Sequence, residues 1–160
     1  MKKILVSLFV LTVIFTVNSF VSAQETFTHP TANVSVTVPG GWHYETTSTT
    51  IKMYPDSKEV AVVFNVIDAS GIDAAVDQAV KDINSAFPGA TINGPSQLTV
   101  NGMSAFEITG NSTDGRSFSY ALLVTPSAKV IEVAFVANTE QVSKYSSELS
   151  SIVGSIKPAN

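Results

Sequence analysis

The apolar and polar positions beyond residue 23 fall into short strands, one helix, more strands and a second helix. Val34-Ser35-Val36-Thr37-Val38 alternates with period two and stops at Pro39-Gly40-Gly41, the pattern of a strand closed by a turn. Extended structure resumes over 42–45, and 51–54 makes a third short strand ended by Pro55-Asp56-Ser57-Lys58. Almost every position from 59 to 68 is apolar, including Val60, Val62, Val63, Phe64, Val66 and Ile67. A strand apolar on both sides is covered on both faces, so this one is expected inside the sheet.

Ile72, Val76, Val80, Ile83 and Phe87 then recur at three- and four-residue spacing, with Asp73, Asp77, Lys81 and Asp82 largely on the other side. That spacing predicts an amphipathic helix over 72–87, ended by Pro88-Gly89. Asn101-Gly102 is the strongest hairpin signal in the chain, because both central positions of such a turn need positive φ. It sets Val100 opposite Met103 and Leu98 opposite Ala105, with Phe106 and Ile108 on the other side. Asp114-Gly115 makes another turn, 118–125 another strand, Pro126-Ser127-Ala128-Lys129 a turn, and 130–137 the last strand. A closing helix starts at Asn138 or Thr139 and carries Val142, Tyr145, Leu149, Ile152, Val153 and Ile156 on one stripe, as far as Lys157-Pro158. About six to seven mainly antiparallel strands with helices at two separated points predict an α+β fold, one sheet flanked by helices on both faces.

The N-terminus changes the picture of where the protein works. Lys2 and Lys3 precede an apolar run from Ile4 to Thr16, and small Ala23 follows Val21 and Ser22. The run is shorter than the ~20 residues of a spanning helix, so 1–23 is read as a signal peptide cleaved after Ala23, with 24–160 one domain in the periplasm or outside the cell. Cleavage removes two lysines and takes the formal charge from −4 to −6. The remaining basic residues, Arg116 and six scattered lysines, form no run, which argues against nucleic acid and against a basic membrane-binding patch. With no cysteine, the chain has no disulfide, thiolate metal site or cysteine nucleophile.

The order of elements, and some local sequence, resembles the PsbP-like and DcrB-like families, which share an α/β/α sandwich with the Ran-binding Mog proteins. The matching segments are Val38-Pro39-Gly40-Gly41-Trp42, the helix 72–87, Ile92-Asn93-Gly94 through Val100-Asn101-Gly102-Met103-Ser104-Ala105-Phe106-Glu107, the strand pair 120–124 and 130–136, and the last helix ending in Ser155-Ile156-Lys157-Pro158. The resemblance implies a non-enzymatic protein, since several members are accessory or binding proteins on larger assemblies, extrinsic photosystem subunits among them. It carries over no functional residue.

Candidate chemistry is sparse. The two histidines are His29, expected exposed in a loose N-terminal segment, and His43; no Gly-x-Ser-x-Gly elbow accompanies the many serines. Asp68, Asp73, Asp77 and Asp82 lack the spacing of a calcium loop, and no phosphate loop or dinucleotide fingerprint occurs. No catalytic, metal or cofactor residue is therefore assigned. The best candidate for a partner-binding surface is Trp42-His43-Tyr44, just after the Pro-Gly-Gly turn, because Trp and Tyr are enriched at interface hot spots. The competing expectation packs Trp42 and Tyr44 at the core edge and leaves His43 in solvent. The chain thus reads as an exported, non-enzymatic accessory protein that docks on a protein partner, or as a carrier of a small apolar ligand in a cleft between sheet and helix. Apolar positions left without a helix to cover them would separate the two.

Overall fold

In the computed structural model, which describes residues 24–159, the elements run β1 (Glu25–His29), β2 (Val34–Val38), β3 (Trp42–Thr46), β4 (Thr50–Pro55), β5 (Ala61–Ile67), α1 (Ile72–Ala86), β6 (Thr91–Val100), β7 (Met103–Asn111), β8 (Arg116–Val124), β9 (Val130–Asn138), α2 (Thr139–Lys144), α3 (Ser146–Ser155) and β10 (Lys157–Pro158). Seven strands form one antiparallel sheet in the order β3-β4-β5-β9-β8-β7-β6. The apolar run expected inside the sheet is β5, held between β4 and central β9. One face of this sheet packs on α1, through Ala75, Ala79, Ile83 and Phe87 against Ile108, Phe118, Leu122 and Val130. The other face packs on α3 and on a second, three-stranded sheet, through Ile51, Met53, Phe64, Leu123 and Ile131 against Val34, Val36, Leu149, Ile152 and Ile156.

The 101–102 turn behaves as its sequence predicts. Asn101 and Gly102 sit at φ 47° and 83°, and the register pairs Val100 with Met103 and Leu98 with Ala105. Farther along the same pair, Gly110 is required by close approach: a methyl group on its Cα would run into the Phe118 ring and the Thr91 carbonyl.

Three expectations need correction. First, β2 lies outside the main sheet, in the small one, between β1 and β10. The seven-stranded count survives because β3 through β9 supply all the strands of the large sheet. Second, the residues around His29 are a strand, and His29 is buried at 1% exposure, its Nδ1 accepting the Ala32 N–H. The segment 25–29 holds one apolar residue, Phe27, too little for periodicity to register, and pairing with β2 supplies the order that composition does not. Third, the closing helix is two helices broken at Tyr145. Ser143 and Ser146 hydroxyls donate to the carbonyls of Thr139 and Ser143, a local competition that bends helices, and Tyr145 is pulled out of line by its own contacts. Its ring meets Trp42 edge-on at 6.0 Å, and its hydroxyl reaches Ser57 and Glu59 at 2.8 and 2.9 Å. The signal peptide expected over 1–23 lies outside the described residues.

Candidate functional site

Strands β7 and β8 show different residues to the two faces of the sheet. Toward α1, β8 presents Phe118, Tyr120 and Leu122; toward α3 it presents Ser117, Ser119 and Ala121. Strand β7 does the same, with Phe106 and Ile108 on the α1 side and Glu107, Thr109 and Asn111 on the other. Small and polar side chains on the α3 side cannot reach the helix above them.

The helix offers no more bulk. Ser146, Ser150 and Gly154 recur every four residues and so share the α3 face over the sheet. Small residues on both walls leave a cleft of about 620 Å³ between α3 and β6–β9. That volume lies within the usual range for small-molecule sites. The lining is mixed: Leu98, Ala121, Val133 and Phe135 of the sheet and Val142, Leu149 and Val153 of the helices are apolar, while Asn93, Glu107, Thr109, Asn111, Ser117 and Ser119 add polar groups to the floor. Ser117 donates to Asn111 Oδ1 at 2.8 Å and Ser119 to Glu107 Oε1 at 3.4 Å.

The cleft stays open because α3 is pinned at both ends. At its start, Tyr145 is anchored on Trp42, and Glu59 accepts from Tyr145 and from Lys144 Nζ at 2.6 Å. Those bonds hold the Glu59 carboxyl below its ordinary pKa, Lys144 first among them. At its end, the Asn101 amide donates to the carbonyls of Gly154 and Ile156, both at 2.7 Å, satisfying acceptors that a helix terminus leaves open. Ser155 Oγ accepts the Thr37 N–H at 2.9 Å. The hairpin residue chosen for its positive φ thus also caps α3.

A smaller cavity of about 310 Å³ lies beside α1, lined by Asp68, Gln78, Asp82 and Glu132 among others. Burial pushes the Glu132 carboxyl up, and the Asp82 charge pushes it further. Among the described residues, no three His, Cys, Asp or Glu side chains gather as metal ligands.

The residues singled out in sequence do not share a surface. Trp42 is in the core at 4% exposure. His43 is exposed on the opposite side of β3, with Nε2 bonded to Asp56 and its ring 5.9 Å from Tyr54. Tyr44 is half-buried against Phe27 and donates to Glu25 at 2.7 Å, a bond that raises its phenol pKa. A sheet–helix cleft was one of the two expectations, but its lining residues were not singled out, although they left a trace: Ser117-x-Ser119-x-Ala121 on one strand, and Ser146, Ser150 and Gly154 at helical spacing. Leu98, Phe135, Val142 and Val153, packed against the core, are only partly buried and line the cleft.

No protein-family model matches the chain, and no curated protein matches it in sequence. Among solved structures it is similar to the cyanobacterial PsbP (CyanoP) of Synechocystis sp. PCC 6803, with a TM-score of 0.62 and 10% identity over 87% of this chain and 94% of that one. It is also similar to LpqN of Mycobacterium tuberculosis, a protein involved in cell envelope biogenesis, with a TM-score of 0.56 and 16% identity over 86% of this chain and 91% of that one. The order of strands and helices, and these two likenesses, give this chain the PsbP-like fold.

Proposed function

We propose that this is an exported, non-enzymatic binding protein that carries a ligand with an apolar part in the cleft under α3. The cleft carries the reading: about 620 Å³ with partly exposed Leu98, Phe135, Val142 and Val153 in its lining, where a collapsed core would bury them. Neither histidine bonds to a hydroxyl: His29 accepts from Ala32 N–H and His43 pairs with Asp56. No helix among the described residues is long and apolar enough to cross a membrane. An envelope setting is supported by the leader-like sequence of 1–23, and LpqN, which shares the fold, is involved in cell envelope biogenesis.

Titration with N-phenyl-1-naphthylamine, an uncharged fluorescent probe, tests this. Saturable one-to-one binding is expected, weakened at least about tenfold in Ser150→Trp, whose ring fills the cleft from an exposed position. No saturable binding, or equal binding by a folded Ser150→Trp, contradicts the reading.

Docking on a protein partner is favoured by a separate observation. Strand β3 is an edge of the large sheet, with exposed His43 beside Tyr54. An edge strand and an aromatic rim suit a protein surface. In-cell crosslinking to one envelope protein, lost in the double variant His43→Ala and Tyr54→Ala, would support it; unchanged crosslinking in that variant would remove this surface. Trp42→Ala is unsuited to the test because it opens the core.

A further inference from the structure

We propose that the cleft selects its ligand by the charge of the head group, taking an amphiphile with a cationic head in preference to one with an anionic head. This inference rests on the carrier reading above and adds the chemistry of the occupant. The lining offers two kinds of surface: apolar Phe135, Val142 and Val153 suit an alkyl or acyl chain, and the polar residues of the floor suit a head group. The floor has one charge, the Glu107 carboxylate, and no Lys or Arg lines the cleft.

Glu107 has no basic partner among the described residues, its one side-chain bond being from Ser119. Two of the basic residues, Arg116 and Lys144, are engaged elsewhere. Arg116 is paired with Asp114 and lies over the Phe87 ring on the α1 side of the sheet, and Lys144 is paired with Glu59. The remaining floor groups, Asn93, Thr109, Asn111, Ser117 and Ser119, are neutral and can donate to or accept from an ammonium or hydroxyl head. An anionic head placed on this floor meets a like charge with no cation to offset it; an ammonium head meets a carboxylate already aimed into the cleft by Ser119. Because Glu107 is exposed, the preference is modest and salt-sensitive.

Three ligands with the same twelve-carbon chain separate the effects: dodecylamine, dodecanol and dodecanoate, each titrated at low ionic strength and pH 7 by displacement of N-phenyl-1-naphthylamine. Dodecylamine is expected to bind tightest and dodecanoate weakest, about tenfold apart. In Glu107→Gln the ratio falls to near one, and in Glu107→Lys the order reverses. Asp73→Asn, on α1 across the sheet, controls for the acidic net charge and leaves the ratio unchanged. Equal binding of all three ligands, or the same ratio in Glu107→Gln as in the native protein, overturns the charge preference while leaving the cleft a binding site. No saturable binding of any of the three overturns both.

Discussion

Helices α1 and α3 lie on opposite faces of the same strands and meet them with similar surfaces. Each shows small residues at four-residue spacing, Ala75 and Ala79 on α1, Ser146, Ser150 and Gly154 on α3. What differs is the sheet. Under α1 the strands present Ile108, Phe118 and Leu122, and Phe118 stacks on Phe87 at 5.2 Å, so large groups fill the space that small ones leave. Under α3 they present Ser117, Ser119 and Ala121, and small meets small. Close packing therefore depends on the sum of the two surfaces, and period-two alternation along β7 and β8 lets one pair of strands build a dense core on one side and a cleft on the other.

Substitutions on the two faces should break this contrast in opposite ways. Leu122→Ala, at a fully buried site on the α1 side, is expected to cost about 2–5 kcal/mol in urea unfolding. Its mirror on the α3 side, Ser119→Leu, grows into open space, leaving stability within about 1 kcal/mol of the native protein while abolishing probe binding. If the two cost the same, the faces are equally packed and the contrast is wrong. A smaller effect sharpens the role of the α3 pins. Asn101→Gly keeps the positive φ of the turn but loses the two bonds to Gly154 and Ile156, and should cost about 1–2 kcal/mol and loosen probe binding. An unchanged affinity would mean that α3 holds its place without its C-terminal cap.

The smallest effect is a pH dependence on the α1 side. Burial and the Asp82 charge raise the Glu132 pKa in the folded state, so its stability contribution is complete below the unfolded glutamate pKa of ~4.3 and declines as pH rises through the higher folded value. Glu132→Gln should thus be more stable than the native protein at pH 7, and the difference should close on acidification toward pH ~4. Thermal melts across that range check it; a variant less stable at pH 7 would mean that ionised Glu132 makes a contact worth more than its desolvation.

Elements whose signal is local were legible. The Asn101-Gly102 turn, the α1 periodicity and the doubly apolar β5 each follow from a few neighbouring residues and appear with the expected register or place. Elements that depend on distant partners were not. Strand β1 has Phe27 as its single apolar residue and is ordered by β2; β2 leaves the large sheet because β10, far along the chain, pairs with it; the Tyr145 break comes from Trp42, Ser57 and Glu59. At Trp42-His43-Tyr44 the structure shows the competing expectation, Trp42 in the core and His43 in solvent, and a distant partner contributes to it. Alternation sends Trp42 and His43 to opposite sides, and it is Tyr145, a hundred residues on, that buries the indole. The cleft was hardest to read because it is a space between elements, visible in sequence only as serines and a glycine where bulk would otherwise stand.

The most direct test of the central claim is an amide chemical-shift map of the protein titrated with dodecylamine. The account predicts saturable shifts along β7, β8 and α3, at Ser117, Ser119, Ser150 and Val153 above all, with the Ala75 to Ile83 face of α1 unmoved. Absence of saturable shifts, or shifts centred on α1 or on the β3 edge, would contradict it.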